Sequence, residues 1–243
     1  MKLESVELPL EIKGVVEGCS GHTVMPTWVS EDGVVQLYHD DCARVLPFVS
    51  SQSALITDPP YGIGVTHMTG GLRGKKGLFK SDPAWDDEPI NSSFLNWVVS
   101  CFSESVIWGL NFFDLPPTKC VLAWDKKLPS AFSFAKIELA WTSLSQQSDI
   151  FSFCASQVGR VDTVGKVHPA QKPVGLMEWC VSKTKSDLIV DPYMGSGSTG
   201  VAAVNLCRRF IGVEREQKYF DIAVDRIRGA LARKQGTGLS GLV

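Results

Sequence analysis

The run Asp58-Pro59-Pro60-Tyr61 follows the apolar stretch Ala54–Thr57. Successive prolines cannot continue a central strand or start a helix interior, so the chain must turn there. A carboxylate and a carbonyl fixed beside each other by proline suit one demanding reaction, transfer of a methyl group to an aromatic amine. The lone pair of such a nitrogen is delocalised into its ring. Acceptors for both N–H bonds favour the tetrahedral geometry that frees it, and the Asp58 carboxylate and Pro59 carbonyl can be those acceptors. Tyr61 can stack on the base, an interaction worth about 1–3 kcal/mol. Alone, the tetrapeptide could be a plain turn with Asp58 as its cap.

A second constellation lies far downstream. Leu188–Val190 reads as a strand reaching Asp191-Pro192-Tyr193, and Gly195-Ser196-Gly197-Ser198-Thr199-Gly200 then opens a helix. The strand Arg209–Val213 follows and ends at Glu214. Strand, glycine turn, helix, strand and acid form a βαβ unit, in which bare backbone approaches a ligand and the acid accepts from ribose hydroxyls. The glycines could serve only a tight turn, but the spacing to Glu214 favours a nucleoside. Val201-Ala202 after Gly200 rules out a phosphate-binding P-loop, which needs Lys-Ser or Lys-Thr there. A dinucleotide-dependent oxidoreductase is the remote alternative, disfavoured by the polar, kinked Asp191-Pro192-Tyr193.

The elements that must hold these residues are legible in outline. Strand patterns cover Val34–His39, Ala54–Thr57, Ser105–Leu110, Cys120–Trp124, Ile137–Ser143 and Asp149–Cys154, and helical patterns cover Cys42–Phe48, Phe94–Phe102, Met177–Thr184 and Tyr219–Ala232. Alternation of this kind predicts an α/β fold with a mostly parallel sheet. Residues 1–33 read as an N-terminal extension or short hairpin and 34–243 as the functional domain. Loops around 62–90 and 145–165 are the space left for target recognition, and the glycine-rich stretch Gly70–Gly77 is one of them.

Composition narrows the class. The chain has 243 residues, 44% hydrophobic and 21% charged, as expected of a globular protein with a sizeable core. Neither a membrane span nor a signal peptide is read from it. Seven scattered cysteines without a Cys-x-x-Cys pair argue against zinc and disulfides and for thiols in a reducing cytoplasm; no metal is expected. A net charge of −2 excludes a protein that coats nucleic acid, so any DNA contact must be local. The basic clusters are Arg73, Lys75 and Lys76; Lys126 and Lys127; Arg208 and Arg209; and Arg226–Lys234. The first, in its glycine loop, is the candidate DNA contact, although such clusters are commonly solvated faces.

With both constellations in place, the sequence resembles the amino-methyltransferases of DNA, whose catalytic motif is Asp/Asn/Ser-Pro-Pro-Tyr and whose cofactor motif is Asp-Pro-Phe-x-Gly-Ser-Gly. Here the catalytic motif comes first, the order of the circularly permuted β-class. His168-Pro169-Ala170-Gln171-Lys172-Pro173 is similar to a His-Pro-x-x-Lys-Pro segment beside the methionine part of the cofactor. Asp41-Cys42 is similar to an element near its adenine. Trp108–Phe113 and Trp124-Asp125-Lys126 resemble strands that follow the catalytic motif. Together these cover roughly residues 34–230, with Tyr193 in place of the usual Phe and Asp40 in place of the usual Gly.

The resemblance implies a Rossmann-like S-adenosylmethionine-dependent methyltransferase fold. It implies catalysis by Asp58, Pro59, Pro60 and Tyr61. Cofactor binding would fall to Asp41, Cys42, Asp58, His168, Lys172, Pro173, Asp191, Tyr193, Gly195, Ser196, Gly197, Ser198, Thr199 and Glu214. Its first motif residue, Asp58, leans towards adenine N6, with cytosine N4 the alternative on the same fold. Double-stranded DNA is the implied partner, a homodimer is plausible, and a restriction partner stays open. The implied setting is the cytoplasm of a bacterium or a phage-infected cell.

Overall fold

The computed structural model describes residues 24–64, 86–129, 135–154, 167–168 and 170–238. The candidate DNA contacts Arg73, Lys75 and Lys76 lie outside the described residues, as do the Gly70–Gly77 stretch and all of 155–166.

Among the described residues nine strands form one sheet: β1 (Trp28–Val29), β2 (Val35–His39), β3 (Ala54–Thr57), β4 (Glu104–Trp108), β5 (Val121–Asp125), β6 (Ile137–Thr142), β7 (Asp149–Ser152), β8 (Leu188–Asp191) and β9 (Arg209–Glu214). Their order is β1-β2-β9-β8-β3-β4-β6-β5-β7. Five of the eight pairings are parallel, the antiparallel ones being β1 with β2 and β6 with its two neighbours. The sheet is therefore mostly parallel, as the alternation of elements predicts. β1 makes a short hairpin with β2, pairing Trp28 with Leu37.

Among the described residues five α-helices cover the two faces: α1 (Cys42–Val45), α2 (Ser92–Ser100), α3 (Val174–Ser182), α4 (Ser198–Asn205) and α5 (Gln217–Gly238). The side-chain period of two sorts each strand between two cores. Ala54 and Ile56 of β3 pack in the cluster that takes Leu176 and Met177 of α3, Ala202 of α4 and Ile227 of α5. Leu55, between them, joins Val45 of α1 and Leu95 and Val98 of α2 on the opposite face. All four residues of β3 are buried, which is why the strand reads as a continuous apolar run.

The helix boundaries differ from the sequence expectation at identifiable caps. α3 starts at Val174 rather than Met177 because Pro173, extended at φ −60° and ψ 137°, is its N-cap. α2 starts at Ser92 because the Asn91 side chain accepts the Phe94 N–H at 3.1 Å. Among the described residues no helix is long and apolar enough to cross a membrane.

Chain direction creates the site. From β3 the chain crosses through α2 to β4, while from β8 it crosses through α4 to β9 on the opposite face and towards the opposite edge. β3 and β8 are paired neighbours. Crossovers diverging from adjacent parallel strands leave a crevice beyond their carboxyl ends. Asp58 follows β3 and Asp191 ends β8, so both motifs open into that crevice.

Candidate active site

One cavity of about 780 Å³ occupies the crevice, lined by Asp58 and Tyr61 at one end and by Asp41, Cys42 and Glu214 at the other. Its size lies within the range of small-molecule sites, roughly 300–1,000 Å³. His168, Lys172, Asp191, Tyr193, Gly195, Ser196, Ser198 and Thr199 also border it, as do Pro59 and Pro60. Gly197 and Pro173 act from behind the lining, as a helix N-cap each.

The glycine turn is held from two sides. Gly195 and Gly197 have φ of +50° and +80°, backbone that a side chain would strain. Asp191 braces the turn's base: Oδ1 accepts from Thr57 Oγ1 at 2.7 Å and Tyr193 N–H at 3.1 Å, and Oδ2 accepts from Thr199 Oγ1 at 2.6 Å. Burial outweighs these donors and raises the Asp191 carboxyl to about 6. From α5, the Arg226 guanidinium donates to Ser196 O at 2.5 Å and Ser196 Oγ at 2.9 Å. It also lies 3.3 Å from Ser198 Oγ, which itself donates to Lys172 O at 2.9 Å. Arg226 is 5% exposed. It is therefore a brace of the turn and not part of a solvated basic tail.

Glu214 is set for hydroxyl donors. Oε2 accepts the Gly195 N–H at 3.0 Å and Oε1 accepts the Glu216 N–H at 2.7 Å. Each carboxylate oxygen has room for a second donor, so two adjacent hydroxyls can be met at once. Burial raises its carboxyl to about 7 despite those two amides. Asp41 and Cys42 have structural duties of their own. Asp41 caps α1, accepting the Ala43 N–H at 2.9 Å. The Cys42 thiol, raised to about 12 by burial, bonds the Tyr193 hydroxyl and is no nucleophile. His168 accepts the Ala170 N–H on Nδ1 at 3.1 Å, and its ring sits edge-on to Tyr219, 4.2 Å between centroids.

At the other end, Asp58 is the hub. The Tyr61 hydroxyl donates to Oδ1, and Lys172 Nζ donates to Oδ2 at 2.5 Å. Lys172 Nζ also stands 3.1 Å from Glu138 Oε2 of β6, while Lys126, just past β5, pairs with Glu138 Oε1. Glu138 Oε2 makes no hydrogen bond among the described residues, so the 3.1 Å contact is an ion pair of poor angle. Burial raises the Asp58 carboxyl, the Lys172 ammonium opposes this, and the Glu138 charge adds to it. Burial would lower the Lys172 ammonium, but Asp58 and Glu138 outweigh it and hold it above its ordinary value. Glu138, likewise buried, is pulled down to about 2 by Lys172 and Lys126. Burial and the Asp58 charge push the Tyr61 phenol well up, so it stays a donor.

The turn after Asp58 is fixed by Asp86, whose Oδ1 accepts the N–H groups of Tyr61 at 2.8 Å and Gly62 at 3.0 Å. Phe112 stacks on the Tyr61 ring at 4.7 Å and 13°. Phe112 thereby covers one face of that ring, and Phe113 meets it edge-on with 5.9 Å between centroids.

The structure thus gathers both motifs around one cavity, with Gly197 and Gly200 behind its lining, and adds Thr57, Asp86, Lys126, Glu138 and Arg226. Two of the other basic clusters also have internal roles. Lys126 belongs to the Glu138 pair, and Arg208 donates to the backbone carbonyls of Lys185 at 2.9 Å and Ser186 at 2.7 Å.

The sheet order, the crevice at the β3–β8 switch and the glycine turn with Glu214 define the fold of the S-adenosylmethionine-dependent methyltransferases. Solved structures agree: the M1.HpyAVI–SAM complex aligns with a TM-score of 0.53 at 22% identity over 79% of this chain and 98% of that one. The cytosine-N4-specific PvuII DNA methyltransferase aligns with a TM-score of 0.55 at 15% identity, over 86% and 94% of the two chains. The DNA methylase family of N6/N4 type matches residues 117–225. The type II methyltransferase M2.MboI of Moraxella bovis is 25% identical over 254 aligned residues, spanning 84% of this chain and 91% of that protein. The type II methyltransferase M.HinfI of Haemophilus influenzae is 41% identical over 80 residues, covering 32% of this chain and 22% of that protein. These likenesses support a DNA amino-methyltransferase, the family that the motifs resemble. They count against the oxidoreductase reading of the glycine turn.

Proposed function

We propose that the chain is a DNA adenine-N6 methyltransferase that uses S-adenosylmethionine. The observation that carries this is the single cavity with Glu214 at one end and the Asp58–Tyr61 pair at the other. It has room for a nucleoside and a target base side by side. The residues fit the cofactor: Glu214 keeps acceptor capacity on both oxygens for the ribose hydroxyls, and the turn Gly195–Gly197 offers bare backbone. His168 and the Asp41-Cys42 element border the same end. Bound there, S-adenosylmethionine supplies an electrophilic methyl group.

The chain's own residues do the rest. The target base leaves the duplex at an unstacking cost of a few kcal/mol and lies against Tyr61. Asp58 and the Pro59 carbonyl accept the two amino N–H bonds. Each Asp58 oxygen already accepts one donor, Tyr61 Oη or Lys172 Nζ, so the incoming N–H competes with one of them. As the nitrogen bonds to carbon it becomes more acidic, and Asp58, kept basic by burial, takes its proton. Asp in the first motif position supports adenine, and the same acceptors serve an N4 amino group. Arg73, Lys75 and Lys76 would hold backbone phosphate, and a homodimer belongs to the same reading, tested by light scattering.

The test is transfer of labelled methyl to mixed-sequence duplex DNA, followed by nucleoside digestion and mass analysis. N6-methyl-deoxyadenosine is expected. N4-methyl-deoxycytidine would overturn the base assignment, and cofactor binding without any product would overturn the function. Asp58→Ala should lose transfer by about 10²–10³-fold.

A further inference from the structure

Lys172 stands between two carboxylates, and only one belongs to the catalytic motif. Asp58 Oδ2 is 2.5 Å from its Nζ and Glu138 Oε2 is 3.1 Å away. That Glu138 oxygen is buried without a hydrogen bond, although its sister Oε1 is engaged by Lys126. A buried carboxylate oxygen left without a donor is costly, so this one is a ready second seat for the ammonium. Lys172 itself has little freedom to go elsewhere: its side chain is 8% exposed, and its carbonyl is tied to Ser198 Oγ.

Resting on the proposed methyltransferase reading, we propose that Glu138 is a positioning residue for the transfer step, drawing Lys172 away from Asp58 when the target amine arrives. Asp58 has both oxygens occupied before the base enters. A substrate N–H arriving on Oδ2 competes with Lys172 for that oxygen, and an ammonium drawn off it with no partner would be stranded in a buried site. Glu138 removes that penalty. It also keeps Asp58 basic, because a shared ammonium stabilises each carboxylate less than a private one would. Lys126 sets how strongly Glu138 competes, since it neutralises part of the same charge. The other titratable groups facing this network among the described residues are the Tyr61 hydroxyl on Asp58, Asp191 at the end of β8, Asp86 behind Tyr61 and the Cys180 thiol of α3 beside Lys172.

Two substitutions give opposite signs, which a merely structural role would not. Glu138→Gln leaves Lys172 to Asp58 alone, so Asp58 becomes more acidic. Lys126→Met strengthens Glu138 as a competitor, so Asp58 becomes more basic. For unit charges a few ångströms apart in a buried site, each change should be roughly one pH unit or more. The experiment is a carbon NMR titration of carboxyl-labelled aspartate in the cofactor-free protein, with Asp58 assigned through Asp58→Asn. It is paired with the pH profile of single-turnover methyl transfer to duplex DNA. The Asp58 midpoint and the acid limb of the rate should move down together in Glu138→Gln and up together in Lys126→Met. Midpoints that stay put, that move the same way in both variants, or that move without the rate limb would overturn the proposal. Opposite midpoint shifts in the two variants, with a wild-type protein that transfers no methyl group to DNA, would instead count against the function, leaving the charge coupling intact.

Discussion

Acidification should loosen cofactor binding through Glu214, and the structure gives the size of the effect. Burial raises this carboxyl to about 7, with the Gly195 and Glu216 amides opposing and the Glu216 charge assisting. Two ribose hydroxyls donating to it favour its ionised form, so the cofactor selects the carboxylate and binding releases a proton. With a midpoint of about 7, the ionised fraction rises roughly tenfold between pH 6 and 8, and Kd should fall by the same factor, about 1.4 kcal/mol. Without cofactor the sign for stability is the reverse. The raised carboxyl contributes stability that is fully present below its unfolded value of 4.5 and is lost as pH rises through about 7, in all about 3 kcal/mol. Calorimetric titration of S-adenosylmethionine at pH 6, 7 and 8, in buffers of different ionisation enthalpy, measures both Kd and protons released. Glu214→Gln should bind more weakly and flatten the profile between pH 7 and 8, leaving only the contribution of Asp191 near about 6. A Kd constant from pH 6 to 8 with no proton released would refute the reasoning, as would a Glu214→Gln profile as steep as wild type.

Other perturbations separate the supports of the site. Arg226→Met removes a buried guanidinium from Ser196 and Ser198 and should cost about 2–4 kcal/mol in urea unfolding, with weaker cofactor binding by calorimetry. Gly200→Ala places a Cβ 2.4 Å from Ile227 Cδ1 and 2.7 Å from Phe210 Cε1; overpacking there should cost about 1–3 kcal/mol of stability by the same assay. Replacing Arg73, Lys75 and Lys76 together with Ser should weaken DNA binding and flatten its dependence on log[salt] by up to about 3 units, measured by fluorescence anisotropy. An unchanged salt slope would remove that segment from the DNA contact.

What the sequence disclosed depended on whether a group's neighbours lie close to it along the chain. Asp58-Pro59-Pro60-Tyr61 and Gly195–Gly200 carry their own backbone geometry, so residue order sufficed to read them. Glu138 is the contrary case. It meets Lys172 and Lys126 from a strand that turns back between β4 and β5, and no local pattern brings those three together. A signal was present all the same: Glu138 shares its strand phase with buried Ala140 and Thr142, and a charge in that phase calls for a partner. Arg226 misled in the same way. Read as one of a run of basic residues, it sits three residues after Ala223 and four before Ala230, both buried, and so on the inward stripe of α5. Helical phase, not charge count, would have placed it.

The same division explains why the site tolerates having its catalytic motif first along the chain. The two half-sites meet through neighbouring strand ends, with β3 and β8 paired in parallel and Thr57 Oγ1 bonded to Asp191 Oδ1 at 2.7 Å. Each half is complete as a local unit: β3 with its proline turn, β8 with its glycine turn, α4 and β9. What joins them is sheet registry and one buried hydrogen bond, neither of which depends on which half comes first. The cross-braces that do depend on long-range assembly, Lys172 to Asp58 and Arg226 to Ser196, approach from α3's leading loop and from α5. Both of these pack on the same face of the sheet. That face therefore carries both cross-braces, while α1 and α2 pack on the opposite one.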